Sequence, residues 1–173
     1  MTRGLPPPEA REAALYRHLK ELGLSWKTVE HAPVFTVEEA RAVHASLPGG
    51  HTKNLFLKDR RDGLCLVVAR EDLRVDLNAL AKQLGAGRFS FAAESLLEAT
   101  LRVPAGSVTP FAVIHDAKTE VRVVLDAGLM ALEPLYFHPL RNDRTTAIAS
   151  ADLLRFLEST GHKPLITELP VRC

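Results

Sequence analysis

Thr52-Lys53-Asn54-Leu55-Phe56-Leu57-Lys58-Asp59-Arg60-Arg61-Asp62-Gly63-Leu64-Cys65-Leu66-Val67-Val68-Ala69 is the stretch on which the fold turns. Leu55 and Leu57 alternate with Asn54 and Phe56, the two-residue period of a strand. Leu64 to Ala69 reads as a second strand, and Asp62-Gly63 in the polar turn between them is a hairpin signal. The stretch therefore predicts strands over Thr52–Leu57 and Leu64–Ala69.

Upstream, Pro6-Pro7-Pro8 is a stiff lead-in, and Pro8 suits a first helical turn. Glu9 to Gly23 carries Leu15, Leu19 and Leu22 on one helical face, and Gly23 ends it. Ser25 to Glu30 reads as a strand that His31-Ala32-Pro33 breaks. Thr36 with Glu39 forms a capping box for a short helix over Val37–Ala45, and Leu47-Pro48-Gly49-Gly50 is a loop. Downstream, Asp76 caps a helix with Leu77, Leu80, Ala81 and Leu84 on its apolar face, closed by Gly85 and Gly87. A very short strand over Arg88–Ser90, a helix over Ala92–Ala99 and a loop over Val103–Pro110 follow. Phe111–Ile114 and Val121–Leu125 are expected as strands around the polar turn His115–Glu120. Leu135–His138 and Thr145–Ala149 are two more. Ser150 and Asp152 open a last helix carrying Leu153, Leu154 and Leu157, and the segment after Pro164 adds an edge strand. Strands and helices are interspersed without regular βα alternation, which predicts an α+β fold with a mixed sheet flanked by helices. No repeat or linker divides the chain, so residues 1–173 are one domain, with 1–8 a flexible lead-in.

Composition narrows the function classes. At 173 residues the chain buries enough surface to need no disulfide or metal staple. Twenty-two Lys and Arg against 21 Asp and Glu leave a net charge of +1, unlike the basic excess of a protein that wraps duplex nucleic acid. Any nucleic-acid contact is then small and local, and sequence-specific DNA is not an expected partner. Cys65 reads as a buried core thiol and Cys173 as a frayed end; neither has CxxC spacing. No apolar run reaches the ~20 residues that span a membrane, and the residues from Met1 to Pro8 show no signal-peptide core. A cytoplasmic protein without a membrane partner is expected.

Three segments carry polar groups that a core does not require. Lys53 stands at the mouth of a strand beside Gly49-Gly50, where a cation holds a phosphate or carboxylate. Gly106-Ser107-Val108-Thr109-Pro110 starts with glycine and small residues, which lets backbone N–H groups converge as an oxyanion hole requires. His138 alternates with Tyr136, and Asn142, Thr145 and Thr146 cluster just after it. Each also has a plain structural reading. His18, His31, His44, His51, His115 and His162 show no paired metal spacing, and HxxxH and HExxH are absent, so no metal or organic cofactor is expected. GxSxG, GxxxxGK[ST] and GxGxxG are absent as well.

Taken together and in order, these segments resemble the YbaK/prolyl-tRNA-synthetase-associated family of aminoacyl-tRNA editing domains. The resemblance runs from about His31-Ala32-Pro33-Val34-Phe35-Thr36 to the last helix, through Lys53-Asn54-Leu55-Phe56-Leu57, Gly106-to-Pro110 and Phe137-His138-Pro139-Leu140 with Asn142 and Thr145-Thr146, and so covers most of the chain. The His-Pro segment is similar to the freestanding alanine-specific branch. The resemblance implies a mixed, curved sheet with a cleft, and hydrolysis of the ester between alanine and the terminal adenosine of tRNA(Pro). It implies as partners the acceptor end of aminoacyl-tRNA(Pro) and a transient contact with prolyl-tRNA synthetase. Lys53 would hold the terminal phosphate or ribose, the N–H groups of Gly106 and Ser107 the oxyanion, and His138 would line the pocket. Phe35, Thr36, Asn54, Thr109, Asn142 and Thr145 would meet substrate, and Lys58 and Arg88 the acceptor stem. Alternatives are a Cys- or Ser-tRNA deacylase of the same family, a non-catalytic nucleic-acid-binding module, and a protein that docks on a synthetase.

Overall fold

The computed structural model describes residues 4–33 and 35–172. Met1 to Arg3, Val34 and Cys173 lie outside the described residues, and with them the first part of the lead-in and the expected frayed thiol. In chain order the elements are α1 (Pro8–Glu21), β1 (Lys27–Glu30), α2 (Val37–His44), β2 (Gly50–Lys58), β3 (Leu64–Arg70), α3 (Leu77–Leu84), β4 (Ser90–Phe91) and α4 (Glu94–Leu101). Two 3-10 helices, Ala105–Ser107 and Pro110–His115, precede β5 (Val121–Asp126), α5 (Ala127–Met130), β6 (Leu135–Phe137), β7 (Arg144–Ile148), α6 (Ser150–Ser159) and β8 (Leu165–Thr167).

The central hairpin is β2 against β3, with Lys53 opposite Ala69, Leu55 opposite Val67 and Leu57 opposite Cys65. Asp59 builds its turn by accepting from the N–H groups of Arg61 and Gly63, both at 2.8 Å. The sheet runs β1-β7-β6-β2-β3-β5-β8, with β4 also on β2. The β2–β6, β3–β5 and β5–β8 pairs are parallel and the rest antiparallel, so the sheet is mixed. Strand alternation sorts two cores onto its two faces. Leu57, Cys65, Val67 and Ala69 pack with Leu80 and Ala81 of α3. Phe56, Leu66 and Val68 pack with Leu15 and Leu19 of α1, Leu97 and Leu101 of α4, and Leu153, Phe156 and Leu157 of α6. Each fully buried Leu or Phe of these sets stabilises by roughly 1.5–3 kcal/mol. Burial pushes the Cys65 thiol up to about 12, so it is an inert core group.

Local signals place most boundaries. Asp76 accepts from the Ala79 N–H at 3.0 Å to cap α3, and Gly85 ends it at φ +65°. Thr36 accepts from the Glu39 N–H while Glu39 accepts from the Phe35 N–H, both at 3.1 Å, a reciprocal cap on α2. The segment after Pro164 does form an edge strand, β8, beside β5.

One expected strand is corrected. Phe111–Ile114 belongs to the 3-10 helix Pro110–His115, because Pro110 sits in its first turn and Thr109 caps it through the Phe111 N–H. Phe111 is thereby turned edge-on to Phe137 and Phe156, at centroid distances of 5.6 and 5.4 Å. The hairpin it was expected to make with Val121–Leu125 does not exist; β5 pairs in parallel with β3 and β8 instead. The expected short strand Arg88–Ser90 lies at Ser90–Phe91, and the loop after Val103 contains a 3-10 turn.

The site is prepared where β2 and β6 part. They pair only at Gly50–Leu135 and His51–Tyr136. Gly49 has φ +139° and a Cβ there would stand 2.6 Å from the Pro134 carbonyl oxygen, so the approach needs glycine. Beyond His51 the Thr52 hydroxyl donates to the Tyr136 carbonyl at 2.7 Å. From there β2 follows β3, β6 follows β7, and a cleft opens between them. No helix among the described residues is long and apolar enough to cross a membrane.

Candidate active site

That cleft is a cavity of about 400 Å³, within the range of small-molecule sites. Thr52, Lys53 and Asn54 line it from β2, Tyr136, Phe137 and His138 from the end of β6, and Thr145 from β7. His31, Phe35, Thr36, Ala40, Val43 and His44 close it from the side of α2, and Glu71 from the end of β3.

Lys53 is half-buried, and its ammonium donates to the Leu73 carbonyl. Burial pushes its pKa below the ordinary lysine value, Asp72 opposes the shift and Arg74 adds to it. The neighbouring Asn54 has a buried Oδ1 without a hydrogen-bond partner among the described residues. Such a group costs roughly 1–3 kcal/mol, and an orphan of this kind in a cleft calls for a functional explanation.

His138 faces the Arg144 carbonyl through Nδ1 at 3.0 Å. A carbonyl only accepts, so Nδ1 carries the proton and the Nε2 lone pair is free of partners among the described residues. Burial pushes the His138 pKa down; the Arg144 carbonyl and Asp143 oppose this, and His31 and His44 reinforce it. The imidazole is neutral at neutral pH. His31 is fixed the same way, with Nδ1 on the Ala32 carbonyl and Nε2 on the Thr145 hydroxyl, both at 2.8 Å. Its ring centre lies 6.3 Å from that of His138.

A stack of three rings stands at the cavity wall. His51 lies between His44, at 4.0 Å, and Tyr136, at 4.6 Å. His44 Nδ1 is 3.0 Å from both carboxylate oxygens of Glu71. His51 Nε2 donates to the Leu47 carbonyl, which leaves its Nδ1 buried and unpartnered. Burial lowers the His51 pKa, against the Leu47 hydrogen bond. His44, His51 and Glu71 bring three ligand-type atoms within 4.8 Å of one another. A metal bound by both imidazoles must lie in the plane of each ring, about 2.0–2.1 Å from nitrogen. Rings stacked 4.0 Å apart with 19° between their planes do not meet that condition, and the cluster fits a hydrogen-bonded stack instead.

The carbonyl that orients His138 is itself held from α1. Arg144 donates to Glu12 at 2.6 Å, and Arg141 lies 3.7 Å from the same carboxylate. Arg141 also forks onto Asp143 at 2.5 and 2.7 Å, and Arg11 Nε donates to the Leu140 carbonyl at 2.9 Å. Leu140 takes φ +65° in this loop, a left-handed turn that these bonds hold in place.

The cavity thus brings together six of the residues expected from sequence: Lys53, Asn54, His138, Thr145, Phe35 and Thr36. Gly106, Ser107, Thr109 and Asn142 are not among its lining. Ser107 is buried and its N–H donates to the Pro104 carbonyl at 2.9 Å, so that amide is engaged in its own turn. Gly106 is exposed and lies under Asn142, whose Nδ2 would be 3.3 Å from a Cβ there. Thr109 is fully buried and acts as a helix cap. Lys58 pairs with Asp62 at 3.0 Å in the hairpin turn, about 17 Å along β2 from Lys53. Arg88 is exposed near Asn78 and Lys82, beside a separate cavity. Sequence reasoning missed Glu71, His44 and the stacked His51, because their spacing matches no motif.

Comparison with known proteins shows the family. The family described as aminoacyl-tRNA editing domain matches residues 31–156. The prolyl-tRNA synthetase associated domain-containing protein 1 of Bos taurus is 42% identical over 159 residues, covering 89% of this chain and 92% of that one. The prolyl-tRNA editing protein ProX of Acetoanaerobium sticklandii is 34% identical over 155 residues, covering 89% and 94%. A solved structure, described as a candidate trans-editing enzyme for prolyl-tRNA synthetase, superposes with a TM-score of 0.74 at 20% identity, over 98% of this chain and 100% of that one, and so shares the fold. From its lysine-bearing strand to its last helix, this chain belongs to the aminoacyl-tRNA editing domain family.

Proposed function

We propose that the protein acts in trans on mischarged tRNA(Pro), hydrolysing the ester that joins alanine to the terminal adenosine. One observation carries this reading: Lys53 and Glu71, a cation and a carboxylate, line a single cavity together with Asn54 and His138. An aminoacyl-adenosine end presents the complementary pair, a phosphate and an α-ammonium. The 34% identity to a prolyl-tRNA editing protein supports the choice of tRNA.

Lys53 holds the terminal phosphate or ribose and Glu71 receives the α-ammonium, which fixes the ester between them. Positioning of this kind supplies several kcal/mol of the barrier. Water attacks the acyl carbon, the carbon–oxygen bond to the ribose breaks, and the ribose oxygen leaves with a proton. The products are free alanine and uncharged tRNA. The substrate's own 2′-hydroxyl orients the water. Of the two amides expected at the oxyanion, that of Ser107 is engaged with Pro104 and that of Gly106 lies outside the cavity lining, so the side-chain N–H of Asn54 is the donor the lining offers. Alanine enters a proline-sized synthetase pocket because missing methylenes cost only about 1–3 kcal/mol each. A second pocket that admits alanine and excludes a proline ring by clash reverses the bias, and Ala40, Val43 and Tyr136 are the lining groups that would form its walls.

The test is deacylation of Ala-tRNA(Pro) beside Pro-tRNA(Pro), Cys-tRNA(Pro) and Ala-tRNA(Ala). Loss of alanine from Ala-tRNA(Pro) alone, reduced at least 100-fold by Lys53→Ala, is the expected outcome. Turnover of Cys-tRNA(Pro) in its place would reassign the amino acid. No turnover of any ester by folded protein would end the reading.

A further inference from the structure

A second cavity, of about 390 Å³, shares Lys53 with the first. Its floor is apolar, made of Leu55, Val75 and Leu77, and its cations are Lys53, Arg74 and Arg172. Among the described residues no carboxylate lines it. Asp72 acts on Lys53 from the adjoining turn but is not part of the lining. Phe91 forms the remaining wall: it stands opposite Leu57 in β4 and is a large aromatic side chain 66% exposed.

The arrangement is built rather than incidental. Val171 bridges Val75, the Asp76 N–H donates to the Pro170 carbonyl at 2.9 Å, and the Arg172 N–H donates to the Arg74 carbonyl at 2.8 Å. These bonds clasp the C-terminal segment onto the β3–α3 connection and bring Arg74 and Arg172 into one lining. Neither forms an ion pair among the described residues. Both are exposed, and an anion seated in this groove is attracted by both. An exposed aromatic face beside several cations is the composition that binds single-stranded nucleic acid, with bases on the ring and phosphates on the charges.

We infer that this groove is the subsite for the single-stranded nucleotides preceding the esterified adenosine. The base next to that adenosine stacks on Phe91, and the phosphates on either side of it lie on Arg74 and Arg172. Lys53 is the junction at which the chain passes from this groove into the hydrolytic cavity. The inference rests on the proposed deacylase reading for the identity of its ligand.

The experiment compares wild type, Phe91→Ala, Phe91→Trp and Arg74→Ala/Arg172→Ala on Ala-tRNA(Pro) and on the alanyl ester of adenosine alone. On the tRNA, Phe91→Ala should lower kcat/KM about 5- to 100-fold, the range of one base–aromatic stack, and Phe91→Trp should retain activity. The double arginine variant should lower kcat/KM and reduce the salt dependence by one to two phosphates' worth. All variants should equal wild type on alanyl-adenosine. An Ala-tRNA(Pro) abasic at the nucleotide before the terminal adenosine should cost wild type the same factor and cost Phe91→Ala nothing more. Equal activity of the variants on tRNA, or equal losses on both substrates, overturns the inference.

If wild type hydrolyses neither ester, the deacylase reading has failed on its own. The groove is then judged by fluorescence anisotropy of a labelled RNA hairpin with a single-stranded CCA end against the blunt hairpin. A preference for the CCA end that Phe91→Ala abolishes upholds the subsite, and no preference overturns it. Loss of a wild-type dimer in Phe91→Ala, read by sedimentation velocity, would assign the groove to a second copy of the chain and overturn it too.

Discussion

At the scale of single residues, the ionisable groups of the hydrolytic cavity divide by what holds them. Lys53 and Glu71 are charges of opposite sign in one lining, while His138 is kept neutral by burial. Glu71→Gln keeps the shape and removes the charge. It should raise KM for Ala-tRNA(Pro) about 10-fold, and it should abolish the preference of wild type for a free over an acetylated α-amine. Comparing Ala-tRNA(Pro) with N-acetyl-Ala-tRNA(Pro) reads this directly; an unchanged preference would remove Glu71 from amine recognition. Burial holds the His138 pKa below the ordinary histidine value of about 6.5, so its Nε2 lone pair is present at and above that pH and is lost as pH falls further. The rate kcat/KM for Ala-tRNA(Pro) should therefore be flat from about pH 8 to 6.5 and decline only below. A limb centred at pH 7 or above would show that another group controls the step.

At the scale of elements, α1 matters more than its position outside the matched family residues suggests. Glu12 receives Arg144 and lies near Arg141, and Arg144 supplies the carbonyl that orients His138. Glu12→Ala removes the 2.6 Å partner of Arg144, while Asp143 still holds Arg141 and Glu30 still holds Arg144, so the cost is that of one charge-assisted hydrogen bond, about 2 kcal/mol. Thermal denaturation should show a Tm lower by on the order of 5 °C. Single-turnover kinetics should show a larger loss in kcat than change in KM, because binding groups on β2 are untouched. A fall in Tm with unchanged kcat would confine Glu12 to stability. Legibility differs between elements for a physical reason. The helix over Leu77–Leu84 was readable because its cap Asp76 and its stop Gly85 are local signals. Phe111–Ile114 was not, because a short apolar run fits a strand and a buried helical turn equally well. The Thr109-Pro110 cap and the ring packing on Phe137 and Phe156 decide it.

At the scale of the whole molecule, pH acts through groups spread over both sides of the sheet. His51, His115 and His138 all have pKa values lowered by burial. The unfolded chain binds more protons than the folded one once the pH reaches their ordinary value of about 6.5. The stability they contribute is thus complete above about 6.5 and is lost as pH falls through their folded values. Asp116 adds a second loss at lower pH. Burial would raise its carboxyl, but His162, at 2.8 Å, and the Val121 and Glu120 amides outweigh this and lower it. Tm measured from pH 7.5 to 4 should stay level to about 6.5 and then fall, with a shallower upper limb in His115→Asn. A Tm independent of pH down to 5 would contradict the burial of these rings.

The same scale separates what the chain wrote locally from what folding assembled. Strand alternation around Lys53, the caps at Thr36 and Asp76, the stops at Gly23 and Gly85, the α+β class and the family segments are properties of neighbouring residues, and they were legible before any coordinates. Lys53, Asn54 and His138, which share one cavity lining, belong to the same segments. The cleft itself arises only because β2 leaves β6 after two paired residues. Glu71 joins it because the hairpin register sets its N–H on the His51 carbonyl, at 2.9 Å. Arg172 joins Lys53 because the C-terminal segment folds back 98 positions to meet Arg74. Periodicity and capping act over a few residues and survive in the linear chain. Ring stacks, ion pairs and shared cavities depend on groups far apart in sequence, whose meeting is decided by sheet order and close packing alone.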